Sequence, residues 1–203
     1  MLSTGLGLVQ AQHNLEAARQ EFHQALMRGE IARMAALLRK NWSLANAPND
    51  GDMLPLHVVA TRWIPDESSA AQMAKILIAA GADVNGRTHS KQTPLHVALM
   101  SEKAEIATLL VAHGADLSAR DWQGMTPLER ALQMRDPRFT EMLRAHGARL
   151  DVFDAAEIGE TALVSELLAH EPALVNARDP QGDRKSTRLN SSHIQKSRMP
   201  SSA

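Results

Sequence analysis

Gly81, Gly114 and Gly147 recur at a spacing of 33 residues, and this limits the fold more than any other feature of the chain. They belong to the segments LIAAGADVNGR, LVAHGADLSAR and LRAHGARLDVF, which follow LPLHVVA, TPLHVAL and TPLERAL. Pro94 and Pro127 are again 33 apart, whereas Pro55 and Pro94 are 39 apart. The six extra residues fall in TRWIPDESSAAQM, which reads as an enlarged turn inside the first clear repeat.

Each unit predicts a helix pair. Thr93 and Thr126 are suited to cap a helix, and the proline after each tolerates the first helical position because its missing N–H has no partner there. PLHVALM then forms a short buried helix. AEIATLLVAHG forms a second, with Ile106, Leu109 and Leu110 on one face. Gly114 stands just past its end, where a left-handed backbone is wanted and glycine adopts it cheaply. ADLSARDWQG leaves the pair as an extended excursion toward the next threonine.

The period, with T-P-L-H and G-A-D-V-N, resembles the ankyrin-repeat family over about residues 22–182. The resemblance implies an all-α fold: a solenoid of antiparallel helix pairs with short β-hairpin-like loops, stabilised by stacking of nearest neighbours. About five units are expected, at 22–48, 49–87, 88–120, 121–150 and 151–179, with 1–21 a lead-in that is helical or loose. The outermost two match each other at an offset of 130, bringing Gly29 onto Gly159 and Asn46 onto Asn176. Three departures carry expectations. Asp52 and Leu54 stand where the family has Gly and Thr, predicting a looser first hairpin. Glu129 replaces the family's His, predicting loss of that hydrogen-bond link. The short GARLDVF predicts that the fourth hairpin is missing.

NARDPQG at 176–182 resembles SARDWQG at 118–124 and predicts a further helix pair. DRKSTRLNSSH follows instead. Residues 183–193, and SRMPSSA at 197–203, read residue for residue as one frame of a common short-read sequencing adapter. The expectation is that 183–203 is a non-native, disordered tail, and that the natural protein continues past Gly182 from a truncated repeat.

The tail holds five of the 22 basic residues and one of the 23 acidic ones, so residues 1–182 carry a net charge of −5. An acidic body argues against binding phosphate backbones. The absence of cysteine excludes disulfides and thiol chemistry. No basic leader precedes an apolar run, and no apolar stretch reaches the roughly 18 residues of a membrane span. A cytoplasmic protein is expected, with no membrane, nucleic-acid or metal partner and no cofactor. His57 and His96 occupy the T-P-L-H position, which the resemblance implies is structural; His113 and His146 stand where a polar residue suits a helix C-terminus. No phosphate loop, nucleophile elbow or H-E-x-x-H pair is present, so no enzyme is expected.

The resemblance implies surface recognition of another protein, as a scaffold or adaptor, or as the regulatory segment of a larger enzyme or effector whose catalytic domain is missing. The implied contacts on the hairpin tips are Asp50, Met53, His89, Ser90, Gln92, Trp122, Gln123 and Met125. Those on the first helices are Thr61, Arg62, Met100, Ser101, Gln133 and Met134. Trp122 is the sharpest of these, because exposed tryptophans often anchor interfaces; packing against the neighbouring hairpin is its other reading.

Overall fold

The computed structural model describes residues 3–64, 66–150, 152–157, 159 and 161–172; for 3–12 it describes the backbone alone. Ten α-helices run through these residues as five pairs, and no β-strand occurs among them. The pairs are α1 (Ser3–Met27) with α2 (Ile31–Lys40), α3 (Pro55–Ala60) with α4 (Glu67–Ala79), and α5 (Pro94–Met100) with α6 (Ala104–Ala112). Then come α7 (Pro127–Met134) with α8 (Pro137–Ala145), and α9 (Val152–Glu157) with α10 (Thr161–His170). The expected tail lies outside the described residues.

Each first helix packs on the next one, α1 on α3, α3 on α5 and α5 on α7, and the second helices stack alongside. One continuous core results. Phe22, Leu26 and Met34 fill it in the first pair, Leu56, Met73 and Leu77 in the second, and Leu95, Leu99, Ile106 and Leu110 in the third. Leu128, Phe139 and Leu143 extend it into the fourth. In α10 only Val164 is buried among the described residues, while Leu163, Leu167 and Leu168 are partly covered.

Local chemistry sets the helix ends. Thr126 and Glu129 form a reciprocal capping box on α7, and Thr93 and His96 form one on α5. Leu54, the residue before α3, offers no side-chain cap. Helices α4, α6 and α8 each end at a glycine of positive φ, 85° at Gly81, 82° at Gly114 and 92° at Gly147, whereas α2 ends at Asn41 with an extended backbone. His113 and His146 donate through Nδ1 to the Leu109 and Met142 carbonyls, both at 2.8 Å, satisfying acceptors in the last turn.

Two features depart from the repeat. The boundary expected at residue 21 falls inside α1, which runs unbroken for 25 residues into the first unit. The enlarged turn after α3 is tied to the following unit. The Lys103 ammonium donates to the Ile64 carbonyl at 2.8 Å, the Glu105 N–H donates to Glu67 at 3.0 Å, and Arg62 reaches the Met100 carbonyl at 3.0 Å.

Candidate functional site

The loops at 49–53, 88–92 and 121–125 project from the helix pairs as three fingers. Each closes with the same backbone bond: Asn49 N–H to Met53 at 3.0 Å, Thr88 N–H to Gln92 at 3.1 Å, and Asp121 N–H to Met125 at 3.0 Å. Every one contains a residue of positive φ, Asp52, Lys91 or Gly124. Asn49 Oδ1 accepts from the N–H groups of Gly51 and Met53, and Asp121 Oδ1 accepts likewise from Gln123 and Met125. These side chains imitate a turn and hold the loop from within. The first finger is therefore closed like the others, although Asp52 replaces glycine. Asp52 accepts the left-handed backbone and uses its carboxylate to bond the His89 N–H at 2.9 Å, linking the first two fingers. The Trp122 N–H donates to the Ser90 carbonyl at 3.0 Å and links the second to the third.

Histidines tie the fingers to the helices. His57 Nε2 donates to the Gln92 carbonyl at 3.0 Å and His96 Nε2 to the Met125 carbonyl at 3.1 Å. His23 Nε2 donates to the Ala47 carbonyl at 2.8 Å, just before the first finger, although EFHQAL lacks the T-P that marks the other two. Burial, partly opposed by these carbonyl bonds, pushes all three imidazoles below their ordinary range. They are neutral structural links. Glu129, at the same position of the fourth unit, cannot donate to a carbonyl; it accepts from the Thr126 N–H and from Arg120 at 3.3 Å. Among the described residues no finger follows its unit, since α9 begins at Val152, five residues after Gly147.

The third finger has an additional lock. Arg130, on α7, places its guanidinium on the Asp121 carboxylate, on Gln123 Oε1 at 2.7 Å and on Gln133 Oε1 at 2.9 Å. Burial would raise the Asp121 carboxyl, but Arg130 and the Met125 and Gln123 N–H groups outweigh it and hold the group below the usual carboxylate range. Sequence reading passed over Arg130 because nothing in TPLERAL marks it. The available signal was an arginine where the two preceding units have Val58 and Val97.

The face formed by fingers and first-helix ends brings most of the expected contact residues together. Trp122 is 62% exposed at the tip of the third finger, so it does not pack away against its neighbour. Asp50, Arg62, His89, Ser90, Met100, Gln123 and Gln133 are also exposed, and Gln92, Ser101, Met125 and Met134 are half-buried. Gln92 Nε2 meets Met100 Sδ at 3.2 Å, joining a finger to a helix end. Thr61 is a correction. It is buried, because its hydroxyl donates to the Val58 carbonyl at 2.7 Å and accepts from the Trp63 N–H at the end of α3. Met53 is half-buried and packs against the core. At the other end, Arg19, His23, Gln24, Met27, Asn49 and Asp50 line an open groove of about 330 Å³ between α1 and the first finger. Among the described residues no group of three or more metal-binding side chains occurs, and no helix is long and apolar enough to cross a membrane.

Residues 66–154, from the approach to α4 through the start of α9, match the family model for ankyrin repeats in three copies. This segment is a run of ankyrin repeats. Rabankyrin-5 from Mus musculus is similar, at 36% identity over 86 residues; the match covers 39% of this chain and 7% of that protein. The ankyrin fold accounts for the helix pairs, the fingers and the 33-residue register together.

Proposed function

We propose that the chain is a protein-binding module, acting as a cytoplasmic scaffold or adaptor without cofactor or catalysis, and that residues 22–182 form its repeat domain. The partner is gripped by the finger tips and the exposed ends of α5 and α7. The observation that carries this reading is Trp122, held 62% exposed on a finger that Ser90, Asp121 and Arg130 fix in place. A rigid aromatic loses little conformational entropy on binding, so preorganisation converts directly into affinity. Affinity capture comparing the wild-type chain with Trp122→Ala and Met100→Ala tests it. Loss of the same partner in both, with Trp42→Ala, at an exposed tryptophan just after α2, unaffected, supports the reading; an unchanged partner set refutes it.

The small share of Rabankyrin-5 covered by the match favours a second reading, in which the repeats are the regulatory segment of a larger enzyme or effector. Sequence of the source gene beyond codon 182 decides between them. The same sequence tests the proposal that 183–203 is adapter-derived, which fails if those codons are in the gene.

A further inference from the structure

Two asparagines bridge successive units through their carboxamides. Asn46 donates to the Gly81 carbonyl at 2.8 Å and accepts from the Asp83 N–H at 2.7 Å. Asn85 repeats the pair one unit on, with the Gly114 carbonyl at 3.1 Å and the Asp116 N–H at 2.7 Å. The next residue in register is Ser118.

The backbone around Ser118 is the one that presents Asn85. Ser118 N–H bonds Asp116 Oδ1 at 2.9 Å, as Asn85 N–H bonds Asp83 Oδ1 at 2.9 Å. The receiving loop is also repeated. Ala82, Ala115 and Ala148 follow the left-handed glycines and each donates back into the preceding helix at 3.0 Å. Serine is shorter than asparagine and carries a single oxygen, which turns to Asp116 Oδ1 at 2.6 Å. The Gly147 carbonyl and the Arg149 N–H, which correspond to the bridged groups of the earlier units, therefore have no hydrogen-bond partner among the described residues. A cleft of about 420 Å³ opens there, lined by Ser118, Thr126, Gly147, Arg149 and Leu150 among others.

We propose that this cleft binds a segment of a protein partner through an Asn or Gln side chain, whose carboxamide takes the place of the asparagine missing at 118. Only a group that donates and accepts side by side matches a carbonyl and an N–H together. A carboxylate offers no donor to Gly147, and an aliphatic side chain offers neither. Asn46 and Asn85 show that a carboxamide fits this pair of groups when the loops are so arranged. The inference rests on the protein-binding reading but uses a different surface from the finger tips.

Libraries of nine-residue peptides with the central residue fixed as Asn, Gln, Asp or Leu, passed over the immobilised full chain, test it. Wild type and Ser118→Ala are expected to enrich Asn and Gln about tenfold over Asp and Leu, the value of roughly one strong or two ordinary hydrogen bonds. Ser118→Asn, which fills the site with its own side chain, is expected to lose the preference and to melt a few degrees higher, roughly the effect of 1 kcal/mol. Absence of enrichment, or enrichment undiminished in Ser118→Asn, overturns the proposal. Trp122→Ala in parallel separates the two surfaces: a preference lost there and kept in Ser118→Asn places the peptide on the fingers instead.

Discussion

Arg130 and Asp121 meet beneath the third finger with their side chains 9% and 0% exposed, joining the tip that carries Trp122 to the helix behind it. The two preceding units manage without such a pair. The first finger has Asn49 at the position of Asp121, with Val58 at that of Arg130.

That comparison predicts a non-additive mutant series. Arg130→Val alone leaves a buried carboxylate without its counter-charge and should cost about 3 kcal/mol. Asp121→Asn with Arg130→Val recreates the Asn49 and Val58 combination, keeping the turn acceptor without the charge. It should fall within about 1 kcal/mol of wild type. Urea denaturation of the two variants checks this; equal losses would show that the pair holds nothing beyond its own packing.

Leu54→Thr should stabilise the chain by about 1 kcal/mol, the ordinary value of a helix cap. His96 Nδ1 meets the Thr93 hydroxyl at 2.9 Å, whereas buried His57 Nδ1 has no partner among the described residues, with Leu54 at the threonine position. Threonine would cap α3 and satisfy that nitrogen, against the loss of the leucine's contact over Gly86. A lower thermal midpoint would mean that the leucine contact outweighs both gains.

The three buried histidines predict a pH dependence of definite sign. Desolvation lowers each imidazole from 6.5; Asp50 opposes this at His23, Asp52 at His57 and Asp121 at His96, while Arg19 reinforces it at His23 and Arg130 and Arg87 at His96. As pH falls below 6.5 the unfolded chain takes up protons that the folded chain refuses. Stability is therefore complete above that value and declines from 6.5 downward until the folded imidazoles themselves protonate. Denaturation midpoints at pH 7.5, 6.5 and 5.5 measure the slope. His57→Gln should flatten it, and an unchanged slope would remove His57 from the account.

Amides of α10 should exchange faster than those of α6. Among the described residues the junction before α9 has neither a fourth finger nor an asparagine bridge, and Leu163, Leu167 and Leu168 are only partly covered. Hydrogen exchange showing 161–170 as protected as 104–112 would contradict this.

The fold was legible because one set of constraints recurs in register: a proline at a helix start, apolar residues at helical spacing and a left-handed glycine at the end. What lay outside that register was not. His23 links its helix to the chain leading into the first finger without the motif of His57, since the helix running through it from Ser3 makes a separate cap unnecessary. Thr61 looked like a surface contact because its position faces outward in the family, yet its hydroxyl closes the end of α3 and is covered by the enlarged turn. Asp52 was expected to loosen a turn and instead links two fingers. His23 and Asp52 find their partners 24 and 37 residues away, which periodicity cannot reveal. Thr61 bonds the nearby Val58 carbonyl and Trp63 N–H, where the enlarged turn leaves the repeat register.

The central claim, that partners bind the finger face, is tested most directly by site-specific photo-crosslinking in the full chain. A benzophenone side chain placed at residue 122 or 90 should capture the partner, and one at Lys75 on the exposed side of α4 should not. Crosslinking from 75 with none from 122 or 90 would contradict it.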